Sequence, residues 1–216
     1  MEANSVCVLR GYAKEGPVMS ATRLKSNVVN VLSSSAINAL SFKIAGNLIT
    51  PQHFITVRNH IKKDEITLVA DSGALAREGA TVNASYNKLD DKMTLHSRIA
   101  TASSVERLNR LQIIHECFHA ICDAYKLQGI TTFEEETCGY LSSALYELYH
   151  YNSSMYASDH PMRTLLVSLY KGKPRVELRG DPHFEKCFKR CYDMYMAADP
   201  NYKQDRASNN GIRKKK

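Results

Sequence analysis

The segment Ile113-Ile-His-Glu-Cys-Phe-His-Ala-Ile-Cys-Asp123 holds the side chains with the clearest chemical potential. His115 and His119 are four positions apart. On a helix this puts both imidazoles on one face, a turn from each other, where both can meet one metal ion. Glu116 follows the first histidine, projects toward the same cleft and can take a proton from an attacking water. The His-Glu-x-x-His spacing therefore suits zinc-assisted hydrolysis. The plainer alternative is a pair of partly buried helix histidines. The flanking Leu111, Ile113, Ile114, Phe118 and Ile121 argue against it. Two imidazoles and a carboxylate in such surroundings are costly to bury without a partner, and a divalent cation is the obvious one.

A third ligand is needed, and the next helical pattern opens with Glu134-Glu-Glu136. Acids in a first turn complement the helix dipole. Thr132 and Glu135 have capping-box spacing, which accounts for Glu135. Glu136 is less well explained by capping. Small residues at Cys138, Gly139 and Ser143 lie around its face and let a second helix come close. Glu136 is favoured over Glu135 as the third ligand.

His115-Glu-Cys-Phe-His-Ala120 followed by Glu136-x-x-Gly139-Tyr140 resembles the gluzincin group of zinc metallopeptidases. Residues 113–146 are similar to small bacterial proteins with a zincin-like core, in which an HExxHA segment with a nearby aspartate precedes a Glu-x-x-Ala-Tyr helix. The resemblance implies that His115, His119 and Glu136 hold Zn²⁺ and that Glu116 is the general base. Asp123, on the His119 face, is then a candidate acceptor that orients a ligand histidine. It reads equally well as a solvated helix residue. Tyr140 is a candidate oxyanion donor, although helix packing is the favoured reading. The strand before the active helix, Met93, Thr94, Leu95, His96 and Ser97, is the expected sheet edge along which an extended substrate pairs. The chain departs from the pattern at Gly139, where alanine is usual, and in lacking the usual orienting aspartate after the third ligand, Tyr140 standing four residues past Glu136.

Around these residues, Pro51 opens an expected helix through Ile61, as suits a proline in a first turn. Strands are expected over 66–70, 80–86 and 92–98, the last two joined as a hairpin through the polar Asn87-Lys-Leu-Asp-Asp91. Ser103 and Glu106 read as a capping box for the helix of the histidines, with Gly129 as a stop. Further helices are expected over 161–170 and 182–197. The polar, basic stretch from Pro200 is expected to be loose. The fold class is thus α+β: one minimal zincin-like domain over 1–199, with a metal-binding core at 64–151 and a basic flexible tail at 200–216. Its small antiparallel sheet packs on the histidine helix and the following glutamate-bearing helix.

The chain of 216 residues is 44% hydrophobic and 24% charged, which excludes a wholly disordered protein. No apolar run has the length of a membrane span, so no membrane partner is expected. Met1-Glu-Ala-Asn-Ser5 shows no Sec-type leader, so a cytoplasmic location is expected, and signal-less export is compatible with the same start. The net charge of +7 includes Arg213-Lys-Lys-Lys216. Without aromatic-interleaved basic stretches, nucleic-acid binding is not expected. The six cysteines, Cys7, Cys117, Cys122, Cys138, Cys187 and Cys191, form no CxxC pair and read as free thiols. His183, Cys187 and Cys191 share a helix face, with structural cysteines the favoured reading over a second metal site. The expected partner is a protein or peptide substrate. Two other readings fit the same ligands: a non-catalytic zinc-stabilised regulatory or interaction domain, and a delivered effector or toxin protease.

Overall fold

The computed structural model describes residues 17–78, 84–170, 177–198, 209 and 211–212. Helix α1 (Pro17–Val31) leads through a 3-10 turn at Ser35–Ala39 into a short hairpin, β1 (Phe42–Ile44) and β2 (Asn47–Ile49). Ile44 is buried on β1. Helix α2 (Pro51–Lys62) begins at its proline, with Thr50 and His53 capping each other. There follow β3 (Thr67–Ala70), α3 (Ser72–Glu78), β4 (Ala84–Asn87), β5 (Lys92–Leu95) and a single turn, α4 (Arg98–Thr101). The chain continues with α5 (Arg107–Ala124), α6 (Thr132–Tyr151), α7 (Pro161–Tyr170) and α8 (Pro182–Ala198).

The class is α+β, as the sequence pattern implies, but the three-stranded sheet is mixed rather than antiparallel. Its order is β3-β5-β4. β4 and β5 form the expected antiparallel hairpin, whereas β3 pairs with β5 in parallel, Leu68 opposite Met93. The chain passes through α3 and lays β4 on the far side of β5, so β5 returns in the direction of β3. The part of the expected strand at 80–83 lies outside the described residues.

The histidine helix starts later than its sequence signals suggest. Val105 is buried, and Glu106 is an extended N-cap without a side-chain cap bond. Driving Val105 into the core keeps 103–106 non-helical, so Ser103 and Glu106 form no capping box. Leu108 is consequently exposed. From Leu111 to Asp123 the helix is almost wholly enclosed. One continuous core runs from Leu24 of α1 to Cys187 of α8, and α5 passes through it.

Close packing of α5 on α6 uses small residues of α6. The Ser143 hydroxyl donates to the Leu111 carbonyl at 2.6 Å. Gly139 faces His115 with no side chain between them. The tail is not loose where it is described. Gly211 donates its N–H to the buried Asp123 carboxylate, and Ile212 packs against the core. The remainder of the tail, Cys7 and the Arg213–Lys216 run lie outside the described residues. Among the described residues, no helix is long and apolar enough to cross a membrane.

Candidate metal centre

His115, His119 and Glu136 come together across the α5–α6 contact, each offering one ligand atom within 4.8 Å of the others. His115 Nε2 lies 3.2 Å from Glu136 Oε2, and His119 Nε2 lies 3.5 Å from Glu136 Oε1. Both imidazoles thus turn the same nitrogen toward one carboxylate. Among the described residues this is the one cluster of three or more such ligands. Two imidazole nitrogens and a carboxylate oxygen form a donor set suited to Zn²⁺. The backbone is shaped to admit it. A Cβ on Gly139 would lie 2.8 Å from His115 Cε1, so the ring occupies space that any larger residue would take.

The three consecutive glutamates have three different tasks. Glu134 caps α6: it accepts the Thr131 N–H at 2.8 Å while Thr131 Oγ1 accepts the Glu134 N–H. Arg179 clamps it through two 2.7 Å bonds. The capping box is therefore Thr131–Glu134, one residue earlier than Thr132–Glu135. That frees Glu135, which is 2% exposed, to point inward. His119 Nδ1 lies 2.7 Å from Glu135 Oε1. With a carboxylate as partner, Nδ1 is the donor, and the ring is held with Nε2 facing Glu136. Lys88 Nζ lies 2.7 Å from the same Oε1 and supplies the countercharge. Burial alone would raise the Glu135 pKa, but His119 and Lys88 outweigh it and hold the carboxyl below its ordinary range. Glu136 faces the two imidazoles.

Glu116 is buried beside this group. Burial raises its proton affinity, and the nearby Glu136 carboxylate adds to the rise. His115, His119 and the Tyr86 backbone N–H act in the opposite sense without cancelling it. A carboxyl so placed can accept a proton and retain it, as a general base must.

Other residues singled out by the sequence are placed differently. Asp123 is fully buried and accepts from the Tyr86 hydroxyl at 3.2 Å and from Gly211 N–H at 2.9 Å. It secures β4 and the tail, while the bond to His119 Nδ1 belongs to Glu135. Asp123 is thus buried rather than solvated. Tyr140 stands edge-on to His115, ring centroids 4.6 Å apart. It also lines a cavity of about 150 Å³ with Thr137, Tyr156, Met162 and Cys191.

The expected substrate strand is not an edge. β5 is paired on both sides, and Met93, Thr94 and Leu95 are buried. His96 and Ser97 lie past its end, where Ser97 is the N-cap of α4. A strand with two partners has no free backbone groups to offer. The edge nearest Glu116 is β4. His183, Cys187 and Cys191 do not gather as a metal cluster. The Cys187 and Cys191 thiols line the cavity, and burial pushes both up to about 12. Cys117 is a buried core thiol, also pushed upward.

Lys88 and Asn209 went unmarked in the sequence. Lys88 sits in a polar turn and Asn209 in a polar tail, and neither carries a local signal of its distant partner. No protein-family model, curated protein or solved structure matches the chain.

Proposed function

We propose that this chain is a zinc-dependent peptidase in which His115, His119 and Glu136 hold the ion and Glu116 is the general base. The observation that carries this reading is the convergence of two Nε2 atoms and one carboxylate beside the buried Glu116, which pairs with no lysine or arginine among the described residues. When bound, zinc supplies Lewis acidity that acidifies a water and polarises a carbonyl. Glu116 takes the proton from the attacking water as the new C–O bond forms. It returns that proton to the departing amine as the C–N bond breaks. Glu135 keeps the His119 ring in place throughout.

Three protein ligands are the number found in catalytic rather than closed structural zinc sites. The His115 and Glu136 side chains retain 12% and 15% exposure, so the group faces solvent on one side. An extended peptide would lie along β4, the edge strand that reaches Glu116, since only an edge offers backbone groups for pairing. The cavity at Tyr140 is a place for one of its side chains.

The test is cleavage of a peptide library by the zinc-loaded protein, read by mass spectrometry, beside zinc-loaded Glu116→Gln. Cleavage by the wild type alone supports the reading. Equal cleavage by both proteins would sink the assignment of Glu116. Zinc binding without any cleavage would make the centre a structural one.

A further inference from the structure

We infer that Lys88 and the docked tail residues Asn209, Gly211 and Ile212 form a strap that positions His119, so that seating of the tail sets the affinity of the metal centre. The inference rests on the zinc reading only for its affinity measurement.

A continuous series of polar contacts joins the tail to the ligand ring. Asn209 Oδ1 accepts from Lys88 Nζ at 2.9 Å. Lys88 Nζ meets Glu135 at 2.7 Å, and Glu135 meets His119 Nδ1 at 2.7 Å. Glu135 is almost wholly buried, and a buried carboxylate depends on its countercharge. Lys88 provides that charge from the turn after β4, and Asn209 holds the lysine from the other side.

Independent contacts fix the strap itself. Asn209 Nδ2 donates to the Leu127 carbonyl at 2.9 Å, just beyond the end of α5. Gly211 N–H donates to Asp123, inside α5. Gly211 has φ +85°, and a Cβ there would lie 2.5 Å from Lys126 Cε. The Lys126 side chain can swing aside, but a side chain at this left-handed position would still strain the backbone of the strap. Ile212 then packs on the core. Lys88 reaches the candidate ligand His119 through Glu135, so it is a positioning residue.

The test uses the full chain with Lys88→Met, Asn209→Ala and Lys88→Arg. Zinc affinity is measured by competition with a chromophoric chelator. The hydrogen-bonded Nδ1 proton of His119 is followed by NMR in the metal-free protein. Thermal unfolding confirms that each variant is folded. Lys88→Met is expected to weaken zinc binding roughly 10–100-fold and to shift the Nδ1 signal. Asn209→Ala should move both readouts in the same direction by less, and Lys88→Arg should recover most of the affinity. Folded Lys88→Met with wild-type affinity and an unmoved Nδ1 signal would overturn the strap. If the wild type takes up no zinc, the peptidase reading fails, and the Nδ1 signal alone decides the inference.

Discussion

The ring of His115 rests against the bare backbone of Gly139, so near that a Cβ would meet three of its atoms at 2.8–3.0 Å. Contact this short cannot be relieved by a flexible neighbour, because the neighbour is the candidate ligand itself. Gly139→Ala is expected to displace the ring and weaken zinc binding by about 10-fold or more while α6 stays helical, since alanine is the better helix former. Chelator competition with circular dichroism measures both. Unchanged affinity would mean that His115 does not use this position to reach a metal.

Glu135 and Glu136 are adjacent yet serve different atoms, and their substitutions should separate. Glu136→Ala removes a ligand and is expected to abolish stoichiometric zinc binding. Glu135→Gln leaves all three ligands in place and should cost roughly 10–100-fold in affinity. Titration of both variants decides between them, and the reverse ranking would reassign the third ligand to Glu135.

Sequence spacing made the His115–His119 face legible because a helical repeat is local. It misassigned Glu135 because a shift of one residue in the start of α6, from Thr132 to Thr131 as cap, changes which glutamate turns inward. The mixed sheet was hidden for another reason. The hairpin of β4 and β5 is signalled by its turn, but pairing of β3 with β5 depends on where α3 carries the chain. The docked tail was equally hidden: the bonds from Asn209 and Gly211 reach Lys88 and Asp123, 121 and 88 residues away. Composition alone describes such a segment as loose.

In the metal-free protein, burial works against protonation of His119, but Glu136, Glu135 and Glu116 outweigh it and raise the pKa from 6.5 to about 9. A raised folded-state pKa stabilises the protein fully below the unfolded value of 6.5, and that contribution is lost as pH rises through about 9. The metal-free protein should therefore lose stability between these pH values, measured as a fall in the denaturant midpoint. Zinc replaces this proton, so zinc affinity should rise over the same window. A midpoint that climbs toward pH 9 in the metal-free protein would contradict the assignment.

Glu116→Gln preserves size and leaves all three ligands untouched. It is expected to bind zinc as the wild type does and to lose roughly 10²–10⁴-fold in peptide hydrolysis. Rate measurements on matched, zinc-loaded samples test this. Loss of zinc together with activity would show that Glu116 supports the site rather than moving the proton.

The most direct test of the metal centre is the zinc content of the purified protein and of His115→Ala, measured by atomic emission after reconstitution and removal of free ion. The wild type is predicted to hold one zinc per chain and the variant none, because His115 supplies one of only three ligands in the cluster. A wild type that takes up no zinc, or a His115→Ala protein that retains it, would contradict the account.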